Sequence, residues 1–201
     1  MQPLIWSSRL ARGVVLVVFA WLVSIDLGSS RTASKNAAAH DNTGETVVDT
    51  ATGRVFDATA LFHLLAGVLA SRRLPSGSIR ARRSVFTLGV TLLIGAGALS
   101  TWARRHLGRF HRDDLTVHDD HWLVDTGPYE SVRHPLYLAT TSALVGTGAV
   151  LGNWVSIATA GLPTAALVRR IAVEESMLER HLGPDYEAYR ARTKRLVPGI
   201  W

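Results

Sequence analysis

The chain has 201 residues, 47% of them hydrophobic and 19% charged, with a mean hydropathy of +0.16: enough for one domain, and too apolar for an ordinary soluble one. There is no cysteine, which excludes disulfides, thiolate metal sites and thiol catalysis. The net charge of +6 is carried almost entirely by arginine. Because long apolar runs separate the basic segments, its expected counter-charge is anionic lipid headgroups and not nucleic acid.

Arg9 and Arg12 precede an apolar run from Gly13 to Leu27 that carries Asp26 near its end. A charged start and an apolar middle also describe a signal peptide, but no clear small-x-small cleavage site follows, so an uncleaved first span is expected. Gly28 to Arg54 is polar without periodicity and reads as a linker. Val55 to Ala70 is a second, short apolar run interrupted by Asp57 and His63; Asp57 is expected to be solvated and His63 to be a hydrogen-bonded structural residue. The stretch Arg72 to Arg83 holds five arginines with Pro75 and Gly77, a basic loop. Val85 to Ala103 is the cleanest apolar run, with Gly89, Gly95, Gly97 and Ala98 as small residues that permit close helix approach. It continues into the basic stretch Arg104 to Arg112, as a helix leaving the bilayer.

Leu115–Val117 and Trp122–Val124 flank His118-Asp-Asp-His121 and read as two short strands about a polar turn. His111, His118 and His121 with Asp113, Asp114, Asp119 and Asp120 are ligand types, but their spacing fits no standard metal site, and none is expected. Gly127-Pro-Tyr-Glu-Ser-Val-Arg-His-Pro-Leu-Tyr137 follows. Gly127-Pro128 is a turn signal, Pro135 restricts His134 to extended backbone, and proline suits the first turn of a helix. An Arg-His pair at the mouth of a membrane helix is either a site or a headgroup anchor.

Leu136 to Leu151 and Val155 to Val168 then read as a short antiparallel hairpin about Gly152-Asn153-Trp154, with Gly146, Gly148 and Gly152 as small residues. The hairpin returns the chain to the side it left and sets Arg133-His134 beside Arg169-Arg170. Arg169 to Arg192 reads as an amphipathic helix interrupted near Gly183-Pro184, with Ile171, Val173, Met177 and Leu178 on its apolar face. Arg170 and Glu174 are four apart on another face, either a surface salt bridge or part of a site. Trp201 suits the membrane interface.

Gly127-Pro128-Tyr129, Arg133-His134-Pro135-Leu136-Tyr137, Arg170-Ile171 with Glu174-Glu175, and Tyr186 with Tyr189 recur in this order in one known group. In these motifs, and in His121-Trp-Leu-Val124, the chain resembles the isoprenylcysteine carboxyl methyltransferases and their relatives the phospholipid methyltransferases. The resemblance covers roughly Leu115 to Trp201; the first half matches only as a set of spans. Ala139 stands where the family usually has glycine, which adds a methyl group there.

The resemblance implies an all-α, polytopic bundle of about five membrane helices with a C-terminal amphipathic helix. It implies one domain over residues 1–201, with 1–112 supplying N-terminal spans and 113–201 the cofactor-binding and catalytic part. It further implies S-adenosylmethionine as cofactor, held by Tyr129, Arg133, His134, Pro135, Tyr137, Ala139 and Glu175 on the cytosolic side. A lipophilic acceptor would enter from the bilayer. Arg170 would hold a carboxylate acceptor, and Glu174 would be the base for an amine acceptor. The sequence leaves the two acceptors open. A nicotinamide-dependent lipid or sterol reductase and a non-catalytic membrane scaffold are the other readings. Most Lys and Arg fall on the side of the Gly127 segment when five spans are counted, which suits a cytoplasmic site; the Arg72 to Arg83 loop falls on the opposite side.

Overall fold

The computed structural model describes residue 13 and residues 50–73, 82–108 and 123–201, and these are helical apart from turns and one isolated bridge. The first apolar run, the histidine- and aspartate-rich turn and most of the basic loop lie outside the described residues. Helix α1 (Thr50–Arg73) and helix α2 (Arg82–Leu107) are the two described helices long and apolar enough to cross a membrane. Only 11% and 28% of their apolar windows are buried within the chain, so most of that surface faces outward. Val55, Leu61, Phe62, Leu65 and Leu69 of α1 and Leu88 and Ile94 of α2 are exposed. Water would penalise such a surface and lipid would not.

Helix α3 (Pro135–Leu151) starts on proline and ends on Gly152, whose φ of 66° permits its backbone N–H to close on the carbonyls of Gly148 and Ala149. Asn153 then caps helix α4 (Trp154–Thr159) by accepting from the Ser156 N–H at 2.9 Å. Its amide also donates to the carbonyl of Gly67 in α1 at 3.4 Å, tying the turn to a helix 86 residues earlier. The hairpin turn expected at Gly152-Asn153 is therefore present.

The returning arm differs from the expected single run of Val155 to Val168. It breaks at Ala160, and helix α5 (Gly161–Leu182) then continues without interruption through Arg169 and Arg170. The break follows from Pro163, which has no N–H to offer the carbonyl four residues back at Thr159. The change from apolar to charged residues at Arg169 offers no such obstacle, because arginine is a good helix former. Gly183, at φ 51°, and Pro184 separate α5 from helix α6 (Pro184–Arg192), as expected.

The core lies between α2 and α3, where Leu93 and Ala96 meet Ala139, Ala143, Val150 and Leu151. These helices touch backbone to backbone. A Cβ on Gly89 would stand 2.8 Å from the Val150 nitrogen and 2.9 Å from the Gly146 carbonyl oxygen. Gly95, on the same helix, would meet nothing within 4 Å, so only part of the small-residue series serves the contact. Helix α1 packs on the other side against α4 and α5. Its His63, fully buried, bonds through Nδ1 to Thr159 Oγ1 at 3.0 Å, the structural role expected of it; Asp57 is exposed.

Gly89→Ala should therefore destabilise the protein in detergent by about 1–3 kcal/mol, the usual cost of overpacking against atoms that cannot yield. Gly95→Ala, with open space at the Cβ inside a helix, should raise the melting temperature slightly. Equal melting temperatures for the two variants would contradict the close α2–α3 contact.

Candidate functional site

The site grows from one turn and the two ends of a helical hairpin. Gly127 opens a 3-10 turn (Gly127–Glu130) at φ 62°, and a Cβ there would overlap the His106 ring, 2.5 Å from its Nε2. The turn is thereby pressed onto the end of α2. Pro135 begins α3, so His134 is held just outside the helix at φ −124°, ψ 61°. Val132 and Lys194 form an isolated parallel bridge. The Arg133 N–H donates to the Lys194 carbonyl at 2.8 Å, the His134 N–H to the Arg195 carbonyl at 3.1 Å, and the Lys194 N–H to the Ser131 carbonyl at 3.2 Å. Buried Tyr189 donates its hydroxyl to the Tyr129 carbonyl at 2.8 Å, closing the seam from the side of α6.

Glu175 lies at the centre, 5% exposed. Its Oε1 accepts from Arg133 Nε at 2.8 Å and lies 3.3 Å from His134 Nε2; its Oε2 pairs with Arg195 Nη2 at 2.5 Å. Burial opposes ionisation of this carboxyl. The hydrogen bonds from His134, Arg195 and Arg133 overcome that cost and hold its pKa far below the usual carboxylate range. Arg133 also donates through Nη1 to the carbonyls of Thr193 at 2.7 Å and Arg190 at 3.3 Å. Burial raises the phenol pKa values of Tyr129, Tyr186 and Tyr189, which therefore stay protonated.

Glu174, the next residue, looks elsewhere. Tyr137 donates its hydroxyl to Glu174 Oε2 at 2.7 Å and accepts from Arg170 Nε at 3.1 Å. The His134 ring stacks on Tyr137, centroids 5.5 Å apart, with Nδ1 3.9 Å from Glu174 Oε1. Arg170 also reaches the start of α1, where a Cβ on Gly53 would stand 3.1 Å from its Nη1. One cluster therefore offers a cation, a carboxylate and a shared hydroxyl, with the Glu174 side chain 28% exposed.

The structure thus brings together Arg133, His134, Tyr137, Arg170, Glu174 and Glu175, and redirects several of the expected roles. Arg133 bonds Glu175 and the carbonyls of Arg190 and Thr193, and Glu175 meets Arg133, His134 and Arg195. Tyr129 is buried beneath α6 and Pro135 is buried at the start of α3. Ala139 packs into the α2–α3 core against Leu93 and Ala96, not into the site. Residues two apart on a helix point nearly opposite ways, so the Tyr137 and Ala139 side chains face different surroundings. The sequence reading missed Arg195 and Thr193. Their only signal was the basic run Lys194-Arg195, which carries no spacing that points to Glu175.

This arrangement defines a helical integral membrane protein with a polar site at one end of its bundle. The chain belongs to the phospholipid methyltransferase family, whose model matches residues 84–185. Among known relatives, it is 38% identical over 82 residues to the protein-S-isoprenylcysteine O-methyltransferase of Schizosaccharomyces pombe, covering 40% of this chain and 35% of that one. It is 33% identical over 78 residues to the nickel-cobalt-cadmium resistance protein NccN of Alcaligenes xylosoxydans xylosoxydans, covering 39% of this chain and 37% of that one. The chain thus spans little more than a third of the length of these two relatives. In fold it is similar to a eukaryotic intramembrane Ras methyltransferase, an isoprenylcysteine carboxyl methyltransferase, with a TM-score of 0.72 at 20% identity over 98% of this chain and 70% of that one.

A carboxylate whose pKa is depressed on folding stabilises the fold above its unfolded value, here 4.5, and loses that contribution as pH falls toward the folded value. From neutral pH down to about 5, Glu175 should therefore add no slope to thermal stability, which should fall only in more acidic buffer. Glu175→Gln should cost about 3 kcal/mol at neutral pH, because it leaves the buried Arg133 and the partly exposed Arg195 without their carboxylate. It should also flatten the acid limb of melting temperature against pH. Glu174→Gln should do neither.

Proposed function

We propose that the protein is an S-adenosylmethionine-dependent methyltransferase that acts on a carboxylate or amine of a lipid or lipidated acceptor. The observation that carries this reading is the Arg170–Tyr137–Glu174 cluster, set where α5 changes from apolar to charged and opening beside lipid-facing helices. The proposal includes about five spans, a single domain over residues 1–201 and a site facing the cytoplasm. The segment before α3 and the segment after α6 meet at the residue 131–134 and 193–195 seam, which supports a site on one membrane face.

The residues present fit such a cofactor. It carries a carboxylate, an ammonium group, ribose hydroxyls and a sulfonium, and it supplies an electrophilic methyl group when bound. Beside the Arg133–Glu175 pair, the buried Tyr186 hydroxyl has no hydrogen-bond partner among the described residues. An unmatched buried polar atom near a site calls for a partner, and a polar ligand would supply one. His134 Nδ1 and the Tyr137 ring, with Glu174, would hold the cofactor's polar and cationic parts. Arg133 and Glu175 would shape its seat without touching it.

The work of this chain's residues is mainly positioning, because methyl transfer is an in-line displacement. Arg170 holds a carboxylate acceptor by charge-assisted hydrogen bonds, and Tyr137, bonded to Arg170 Nε, fixes the fork of that guanidinium. With an amine acceptor, Glu174 takes the proton that must leave before attack. The surrounding apolar helices exclude water and strengthen both interactions.

Incubating membranes that contain the protein with methyl-labelled cofactor, then finding which lipid or protein takes the label, tests the reading directly. Arg170→Ala or Glu174→Gln should lower turnover on that acceptor about a hundredfold or more, which is ~2.7 kcal/mol of barrier. His134→Ala and Tyr137→Phe should weaken cofactor binding measured by calorimetry. Normal turnover in both the Arg170 and Glu174 variants would return the pair to the surface. Absence of any cofactor binding would overturn the function.

A further inference from the structure

We propose that Arg195 is a positioning residue of the methyl transfer, holding the reacting cluster in register through Glu175 and His134, with Trp201 as its cover. The inference rests on the methyltransferase reading and adds to it a residue outside the 84–185 family match. The two oxygens of Glu175 have different partners. Arg133 and His134 share Oε1, whereas Arg195 is the partner of Oε2 at 2.5 Å. Without Arg195, one oxygen of a carboxylate that is 5% exposed loses the ion-pair partner it has among the described residues. The carboxylate must then turn or take a proton, and either change loosens its hold on His134.

From His134 an unbroken run of contacts leads to the reacting groups. The ring stacks on Tyr137, and the Tyr137 hydroxyl bonds both Glu174 and Arg170. Among the described residues Arg195 pairs with Glu175 and lies over Trp201, so its influence on the cluster travels through Glu175 and His134. Other charged or titratable groups near Glu175 are Arg133 and His134 from the turn, Glu174 on α5 and Tyr186 on α6.

Two features separate this from a packing role. Arg195 Nε is buried with no partner among the described residues, an unmatched donor that packing alone would not favour. The Arg195 guanidinium also lies over the Trp201 ring, 5.4 Å from its centroid. Trp201 is held there by its backbone, whose carbonyl accepts from the N–H groups of Leu196 and Val197 at 2.7 Å. We take the indole as a partial cover for the Arg195–Glu175 pair, whose arginine side chain is 29% exposed. It keeps local dielectric low, so the pair stays strong.

The test compares Arg195→Gln, Arg195→Lys, Trp201→Ala and, as control, Trp154→Ala at the opposite end of the bundle. Each is purified in detergent for melting temperature, calorimetry with S-adenosylhomocysteine, turnover on the acceptor found by labelling, and nitrogen-15 imidazole spectra of the cofactor-free protein. The His134 signals are assigned by their loss in His134→Gln. Arg195→Gln should lower kcat about tenfold or more, the scale of a small misplacement, with the acceptor KM little changed. It should also shift the His134 signals. Arg195→Lys should recover most of both effects, Trp201→Ala should show a smaller loss, and Trp154→Ala none.

Unchanged kcat and imidazole signals in Arg195→Gln would overturn the proposal. So would a lysine variant no better than glutamine, or a loss that merely follows melting temperature. A wild-type protein that transfers no methyl group would overturn the function instead. The imidazole spectra would then decide whether Arg195 orders His134.

Discussion

A buried carboxylate at the polar end of a helical bundle is the constraint on which the rest of the site depends. Glu175 is nearly inaccessible, and in that setting an unpaired charge would neutralise or unfold the region. It stays ionised because three basic side chains, Arg133, His134 and Arg195, converge on it. Those side chains come from segments about sixty residues apart. The chain must therefore fold back at the Gly152–Asn153 turn and again at Gly183 before the charge is answered. Backbone pairing of residues 131–134 with 194–195 holds this geometry, since side chains alone on such long tethers would lose considerable entropy.

The same constraint divides labour between adjacent residues. Glu175 supports the site, and Glu174 stays partly accessible, tied to Tyr137 and Arg170. Successive residues on an α-helix differ by roughly 100°, so one Glu-Glu pair serves two environments. Arg133 and His134 differ in the same way. The first is spent on Glu175 and the carbonyls of residues 190 and 193, and the second links Glu175 to Tyr137. Rigidity near the polar end is matched inside the bundle, where Gly89 and Gly146 bring α2 and α3 into backbone contact. Leu93, Ala139 and Val150 then pack without room to slide. A site assembled from α3 and α5 inherits that stiffness.

Much of this was legible in the sequence. The apolar runs announced α1, α2 and α3, since lipid-facing helices need no polar face and leave long uncharged stretches. Gly127-Pro128, Pro135, Gly152-Asn153 and Gly183-Pro184 marked turns, because proline and positive-φ glycine act locally. The four-residue spacing of Arg170 and Glu174 placed them on one face by helical geometry alone. Local chemistry also misled at Arg169, where polarity changes and the helix does not.

Only the tertiary structure decided which of these residues face one another. Arg195 reaching Glu175, Asn153 reaching Gly67 and Ala139 turning into the α2–α3 core are each set by helix rotation and by contacts distant in sequence. No periodicity records them. The sequence by itself determined where the chain is helical and where it turns, because those preferences are settled within a few residues by backbone sterics and hydrophobic spacing. The division of the polar residues between a buried scaffold and an accessible cluster was decided by packing. The energy of a buried charge depends on partners that sequence proximity does not reveal.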